Sequence, residues 1–211
     1  MTRTETFRRF AIFTAGVLVC AVGIAFITRA GLGTSPISSI PFVLSLITPV
    51  SMGVYTLTFN LFFLLCESLF IGRFGAAQAL QVPVTVLFSL CVDGALSLIP
   101  SQYGGPWVAS AVYLVVGCAV MSLGIYLEVL ADVIMLPGEA FVRALSQRIG
   151  KEFGNVKVCF DSSLTAIAAV TAWWAFKRLN GVGIGTVISA LAVGQLVKGW
   201  GLLRRRVQEI N

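Results

Sequence analysis

The stretch GIAFITRAGLGTSPISSIPFVLSLITPVSMGVYTLTFN, residues 23–60, returns as GIYLEVLADVIMLPGEAFVRALSQRIGKEFGNVKVCFD, residues 124–161. The offset is constant at 101 positions (124 less 23). It carries Ala30 onto Ala131, Pro36 onto Pro137, Leu44-Ser45 onto Leu145-Ser146, Gly53 onto Gly154, Phe59 onto Phe160 and Asn60 onto Asp161. Outside the stretch it also carries Gly16 onto Gly117, Thr85 onto Thr186 and Leu90 onto Leu191. Glycines and prolines that stay in step without a gap over such a length identify an internal duplication. The chain therefore reads as one membrane domain, residues 1–211, built from unit 10–99 and unit 107–203.

The solvent for this chain is lipid. Of its 211 residues 57% are apolar and 11% charged, with a mean hydropathy of +0.93. Soluble domains carry about 25% charged residues, enough to cover a globule. The net charge of +6 does not point to nucleic acid, because the basic residues cluster at the ends of apolar runs. There is no histidine, the commonest metal ligand and neutral-pH base. Cys20, Cys66, Cys91, Cys118 and Cys159 lie in apolar runs with no CxxC spacing, which favours packing over a disulfide or a metal. Arg3, Arg8 and Arg9 precede an apolar run of full spanning length with no small-residue cleavage site, so no cleavable signal is expected.

A membrane-crossing helix needs about 20 apolar residues. Six runs qualify: 10–29, 52–72, 77–99, 107–130, 154–176 and 183–203. Two shorter pieces, 36–48 and 137–150, each open on a proline, which suits a first helical position. Each would be about 20 Å long as a helix, too short to cross, and is expected to be re-entrant or interfacial. The fold class is all-α: a polytopic transmembrane bundle of six spans plus two short helices, in two repeats. Residues 137–150 are amphipathic, with Phe141, Val142, Leu145 and Ile149 opposed to Arg143, Gln147 and Arg148, as in a helix lying on a leaflet surface.

Three spans per unit is an odd number, so the second unit must enter from the opposite side. Charge agrees. With the N-terminus inside, Arg3, Arg8, Arg9, Arg73, Arg143, Arg148, Lys151, Lys157, Lys198, Arg204, Arg205 and Arg206 fall on the cytoplasmic side. Only Arg29, Lys177 and Arg178 fall outside. Both termini are expected in the cytoplasm, with the uncharged loop Ser101–Pro106 outside. Trp107, Trp173, Trp174 and Trp200 stand near span ends, where an aromatic belt places them.

Polar groups in a span are costly and are candidates for function. Asn60 and Asp161 occupy the same place in the two units, about 10 Å into a span. Inversion would bring them near the midplane about a pseudo-two-fold axis, where carriers of this design bind substrate or ion. The structural alternatives are an Asp161–Lys157 salt bridge one helical turn apart and an interhelical hydrogen bond for Asn60. Glu128, Asp132 and Glu139 fall within twelve residues and could bind a cation or hold a proton; Glu139 could equally serve the dipole of the short helix it opens. Glu67, six residues from Arg73, reads as snorkelling to the interface, and Asp93 lies near a span end. Thr34, Ser35, Ser38 and Ser39 surround Pro36, either as local caps or as a cradle for a small anion. Pro36 and Pro137 would orient the two short helices. The glycines Gly16/Gly23 and Gly117/Gly124, seven apart, suit close helix approach. Gly181-Val-Gly-Ile-Gly-Thr186 follows no strand and reads as a tight entry into the last span rather than a phosphate loop.

Gly31-Leu-Gly-Thr-Ser-Pro36, Leu136-Pro-Gly-Glu-Ala140, Val156-Lys-Val-Cys-Phe-Asp161, and Gly183-Ile-Gly-Thr186 leading to Gly194 form an ordered set across the chain. Together they resemble the YczE/YyaS/YitT family of bacterial integral membrane proteins. Asp132-Val-Ile-Met-Leu-Pro137 departs from the glycine-rich form of the YczE proteins. The resemblance implies a multi-pass protein of the bacterial inner membrane, suspected of transport, and supplies no catalytic residues.

The expected function is a small secondary carrier for a small polar or charged solute, coupled to protons or a cation, with Asp161 as the ion site and Asn60 opposing it. Ser35, Ser38, Glu139, Glu128 and Asp132 would line the path. The alternative is a non-transporting scaffold or accessory subunit. An enzyme is not expected, since no metal cluster, HExxH or nucleophile elbow occurs. No cofactor is expected. The expected partners are the lipid bilayer and a small-molecule or ion substrate, with a second copy of the chain as a further candidate.

Overall fold

The computed structural model describes residues 3–102 and 104–210, with the backbone alone for 204–210. The side chains of Arg204, Arg205 and Arg206 therefore lie outside the described residues. Eight α-helices follow one another: α1 (Arg3–Arg29), α2 (Ser39–Ile47), α3 (Met52–Ile71), α4 (Ala76–Leu98), α5 (Trp107–Ala131), α6 (Pro137–Ile149), α7 (Phe153–Phe176) and α8 (Ile184–Ile210). A single 3-10 turn, Pro36–Ser38, leads into α2. Six of the helices are long and apolar enough to cross a membrane; α2 and α6 are not. The protein is a polytopic helical membrane bundle.

α1 begins before its apolar run. Glu5 accepts from Arg8 (3.2 Å) and Arg9 (3.1 Å), and these pairs one turn apart carry the helix through its charged first turns. α1 and α5 end in the same way. Gly31 and Asp132, at the repeat offset, both adopt left-handed backbone, with φ 74° and 48°. That conformation terminates a helix and suits glycine first and aspartate or asparagine next. Ser35 and Leu136 are then extended (ψ 149° and 146°), as a residue before proline must be, and Pro36 and Pro137 each open the next helical turn. The doubled sequence thus produces a doubled break.

The centre is α1 against α5, running antiparallel. A Cβ placed on Gly16 would lie 2.9 Å from the Gly124 carbonyl, and one on Gly117 would lie 3.0 Å from the Gly23 carbonyl. Gly23 backs on to Met121 and Gly124 on to Cys20. Each contact becomes the other when both residues are moved by the repeat offset. Without side chains at these four positions the two backbones touch, and α1 is buried along Phe13, Val17, Cys20, Ala21, Ile24 and Ile27.

The outer helices obey the same exchange. α4 packs on α1 and α8 on α5; α2 packs on α7 and α6 on α3. Ile37 and Gly138, equivalent positions, meet each other at the two breaks. One exchange fails: α3 packs on α4, whereas α7 and α8 share no comparable contact among the described residues. The glycine run at the start of α8 makes the closest loop junction. Gly185 donates to the Leu32 carbonyl (2.8 Å), Thr34 donates to Thr186 Oγ1 (3.2 Å), and a Cβ on Gly183 would lie 2.6 Å from that carbonyl. The run is spent on packing against the first break, as its reading as a tight entry expects.

The structure corrects the reading of residues 137–150 as a surface-lying helix. Both faces of α6 have protein neighbours: Pro137, Gly138, Ala140, Val142, Ala144 and Ser146 are buried, and Phe141 stacks on Phe63 at 5.8 Å and meets Phe160 at 5.7 Å. Its amphipathic pattern reflects a helix with one face on α3 and α7 and the other on a polar cavity.

Candidate functional site

Two cavities meet inside the bundle. The larger, about 380 Å³, lies between the end of α3, the start of α4, the break after α5, and α6. It belongs to the end of the bundle where α1 begins, since Asp132 in its wall stands 4.0 Å from Arg9. Its size falls in the range of small-molecule sites. The smaller, about 50 Å³, is central. Three pairs of equivalent residues line it: Cys20 with Met121, Ile24 with Ile125, and Ser38 with Glu139. Phe59, Phe63 and Phe88 make much of the remaining wall, with Asn60 and Thr56 between them. Glu128 and Glu139 line both cavities, so these two carboxylates stand at the boundary between them.

The polar groups around the larger cavity are short of partners. Glu128 is buried on the α5 side, where the absent side chain of Gly16 leaves it room, and its Oε1 has no hydrogen-bond partner. Glu67, also buried, accepts from Gln78 Nε2 through one oxygen (3.0 Å), while its Oε2 is unpartnered. Gln81 is 3% exposed with its Oε1 unpartnered. Unpaired buried acceptors each cost about 1–3 kcal/mol. The cation in the cavity wall is Arg143, which is exposed and donates to Met135 Sδ at 3.5 Å. Among the described residues no group of three His, Cys, Asp or Glu could hold a metal ion.

The equivalent positions of the other unit are buried and carry no charge. The repeat offset takes Glu67 to Ala168, Glu128 to Ile27 and Glu139 to Ser38. Ala168 and Ile27 are fully buried and Ser38 is 4% exposed. Acidic side chains at one end of the bundle are matched by small or apolar ones at the other.

Several sequence expectations change here. Glu67 does not snorkel; it is held inward by Gln78, which in turn accepts from the Gly75 amide at 3.1 Å. Asn60 lines the central cavity and donates to the Thr56 carbonyl of its own helix (2.9 Å). Asp161 lines neither cavity. It is bound to Lys157 at 2.9 Å with both side chains about four-fifths buried (24% and 21% exposed), so Asn60 lines a cavity that Asp161 does not. The hydroxyls around Pro36 are used locally: Ser35 donates to Ser38 (2.9 Å), Ser39 to the Pro36 carbonyl (2.6 Å), and Thr28 bonds Thr34 (2.7 Å). These bonds are the local capping alternative, and of the four hydroxyl residues Ser38 also lines the central cavity. Pro36 and Pro137 stand at the two breaks, and Asp132 is a half-turn cap at the cavity rim. Asp93 ties down the start of α3, accepting from Ser51 (2.5 Å) and the Gly53 amide (2.6 Å). Sequence reasoning passed over Gln78 and Gln81. The available signal was two amides three apart, on one face of an otherwise apolar span.

A family model for a family of unknown function matches residues 7–201. The chain belongs to that family, DUF6198. No curated protein and no solved structure matches it. For this DUF6198 member the match carries no assigned activity, and it does not carry the YczE/YyaS/YitT name. The weight of the site rests on its own geometry.

That geometry gives Asp161 a limited role. Asp161→Asn should leave uptake near the wild-type rate and lower stability by about 0.3–1 kcal/mol, the range of an ion pair that retains some solvent contact. Adding Lys157→Met should recover much of the loss, which thermal melting of the single and double variants measures. Complete loss of uptake in Asp161→Asn would return the site to α7.

Proposed function

We propose that this chain is a small membrane carrier whose path runs from the larger cavity, past Glu128 and Glu139, into the central chamber. The observation that carries the reading is the shared pair of carboxylates. They stand between an open, polar, acid-lined cavity and a small chamber lined by equivalent residues of the two units. The reciprocal contacts of α1 with α5, α2 with α7 and α6 with α3 support two units of opposite orientation related by an axis through that chamber. Carriers built on inverted repeats bind at such an axis, beside broken helices, and open to one side at a time. One end here is open and the equivalent positions of the other unit include the buried, apolar Ile27, Ala168 and Val43, as in one of two alternating states.

The positive-inside distribution orients the open end toward the cytoplasm of a bacterial inner membrane. The test has two arms. Single cysteines in the native-cysteine-free chain should label from outside at Gly104 and only from inside at Gly150. Proteoliposomes should take up a member of a labelled solute panel in a saturable way that Glu139→Gln abolishes. External labelling at Gly150 would reverse the orientation. Wild-type uptake by Glu139→Gln would remove the path, and saturable uptake of nothing would favour a scaffold.

A further inference from the structure

We propose that the solute is an organic cation with a multi-donor head, a primary ammonium or guanidinium, on a compact apolar body. The proposal rests on the reading of this cavity as the path. Its starting point is what the cavity wall lacks. Glu67 Oε2, Gln81 Oε1 and Glu128 Oε1 are buried acceptors without partners, in side chains 5%, 3% and 7% exposed, and all three residues line the larger cavity. Each acceptor needs a donor that the protein does not provide. Four carboxylates, Glu67, Glu128, Asp132 and Glu139, line the cavity; Arg9 stands 4.0 Å from Asp132 and Arg143 lies at the exposed rim, so the acidic groups outnumber the cations by four to two. An anionic solute would enter against that excess, and a neutral polyol would leave the charge uncompensated.

The carboxylates are also not gathered. They come from α3, α5, the break and α6, and among the described residues no three acidic groups stand close enough to hold a metal ion. A bare cation brings no directed donors, whereas an ammonium or guanidinium head brings three or five N–H groups for the unpartnered oxygens it lies against. The neighbouring chamber supplies the second half of the argument. Behind Glu128 and Glu139 the wall is Phe59, Phe63, Phe88, Ile24 and Ile125, with few polar groups. Aromatic faces hold an apolar body and favour a cation beside them. A solute that places its head on the carboxylates and its body among the phenyl rings uses both cavities.

The test is binding to the purified full-length chain in detergent. Phenethylamine and phenethylguanidine are compared with the donor-free trimethyl(phenethyl)ammonium and with phenylacetate. The two donor-bearing cations should bind, and the quaternary ion should bind about ten- to a hundredfold more weakly, the worth of charged hydrogen bonds it cannot make. Glu128→Gln should weaken the amines to the same degree, whereas Glu152→Gln, outside both cavities, should not. Equal binding of the amine and the quaternary ion would overturn the donor requirement without any substitution. Binding of phenylacetate alone, or of none of the four, would overturn the cation class. The two readings separate: glutamate-dependent binding of amines without uptake in proteoliposomes would keep the ligand class and remove the carrier. Glutamate-dependent uptake of a solute that is not a cation would do the reverse.

Discussion

Gly23→Ala should lower the melting temperature sharply, and Gly23→Leu should yield no folded bundle. A Cβ on Gly23 falls on the backbone of Met121, where no rotamer change can make room, and lies 2.6 Å from the Met121 Cβ. α1 and α5 would have to separate along the contact that buries most of α1. Overpacking of this kind costs about 1–3 kcal/mol for one methyl group, and several times the volume is added by leucine. Between membrane helices the loss is direct, because close packing, rather than exclusion of water, holds them together. Gly124→Ala should cost a similar amount, since its Cβ would lie 2.7 Å from Cys20 Cα in the equivalent contact. Gly94→Ala is the control: that helical glycine has nothing within 4 Å, and alanine there should be neutral or stabilising by up to about 1 kcal/mol. Melting curves of the three alanine variants decide it. A tolerated Gly23→Leu would mean that α1 and α5 do not meet at their glycines.

Those glycines were legible in the sequence because their requirement is local and periodic. The same holds for the six spans and for the breaks at Pro36 and Pro137, where the apolar pattern stops and a fixed φ restarts the helix. The site was legible only in part. Glu128, Glu139 and Asp132 were found as a cluster because they are close in the chain. Glu67 and Gln81 complete the wall from α3 and α4, with Gln78 holding Glu67 in place, and the sequence carries no sign of which helices flank one another. Asp161 is different: the sequence offered both an ion site and a salt bridge to Lys157, and the structure forms the salt bridge. A carboxylate in a span is costly wherever it stands, but Lys157 one turn away neutralises it within its own helix. Cost identifies a residue that needs an explanation; only the neighbours say whether the explanation is a partner already present or one still to come. Glu67 shows the intermediate case, one oxygen satisfied by Gln78 and one open to the cavity.

That distinction gives the second large effect. Glu128→Met should raise the stability of the protein while abolishing uptake. Glu128 is 7% exposed, its Oε1 has no partner, and its neighbours across α1 are the bare backbone of Gly16 and the thiol of Cys20. A buried acceptor left unpaired costs about 1–3 kcal/mol, and methionine replaces it at nearly the same volume with an unbranched chain that adapts to the space. If Glu128 were there to hold the fold, the substitution would remove a contact and stability would fall. If it is kept for a ligand, the resting protein carries its cost, and removing it relieves that cost along with the function. Glu67→Met sets the scale within the same wall. It relieves one unpaired oxygen but strips Gln78 of its acceptor, so its effect on stability should be smaller or negative. The measurement pairs thermal melting with uptake for each variant. A Glu128→Met protein that melts lower than the wild type would make the carboxylate structural and close the passage between the two cavities as a route for solute.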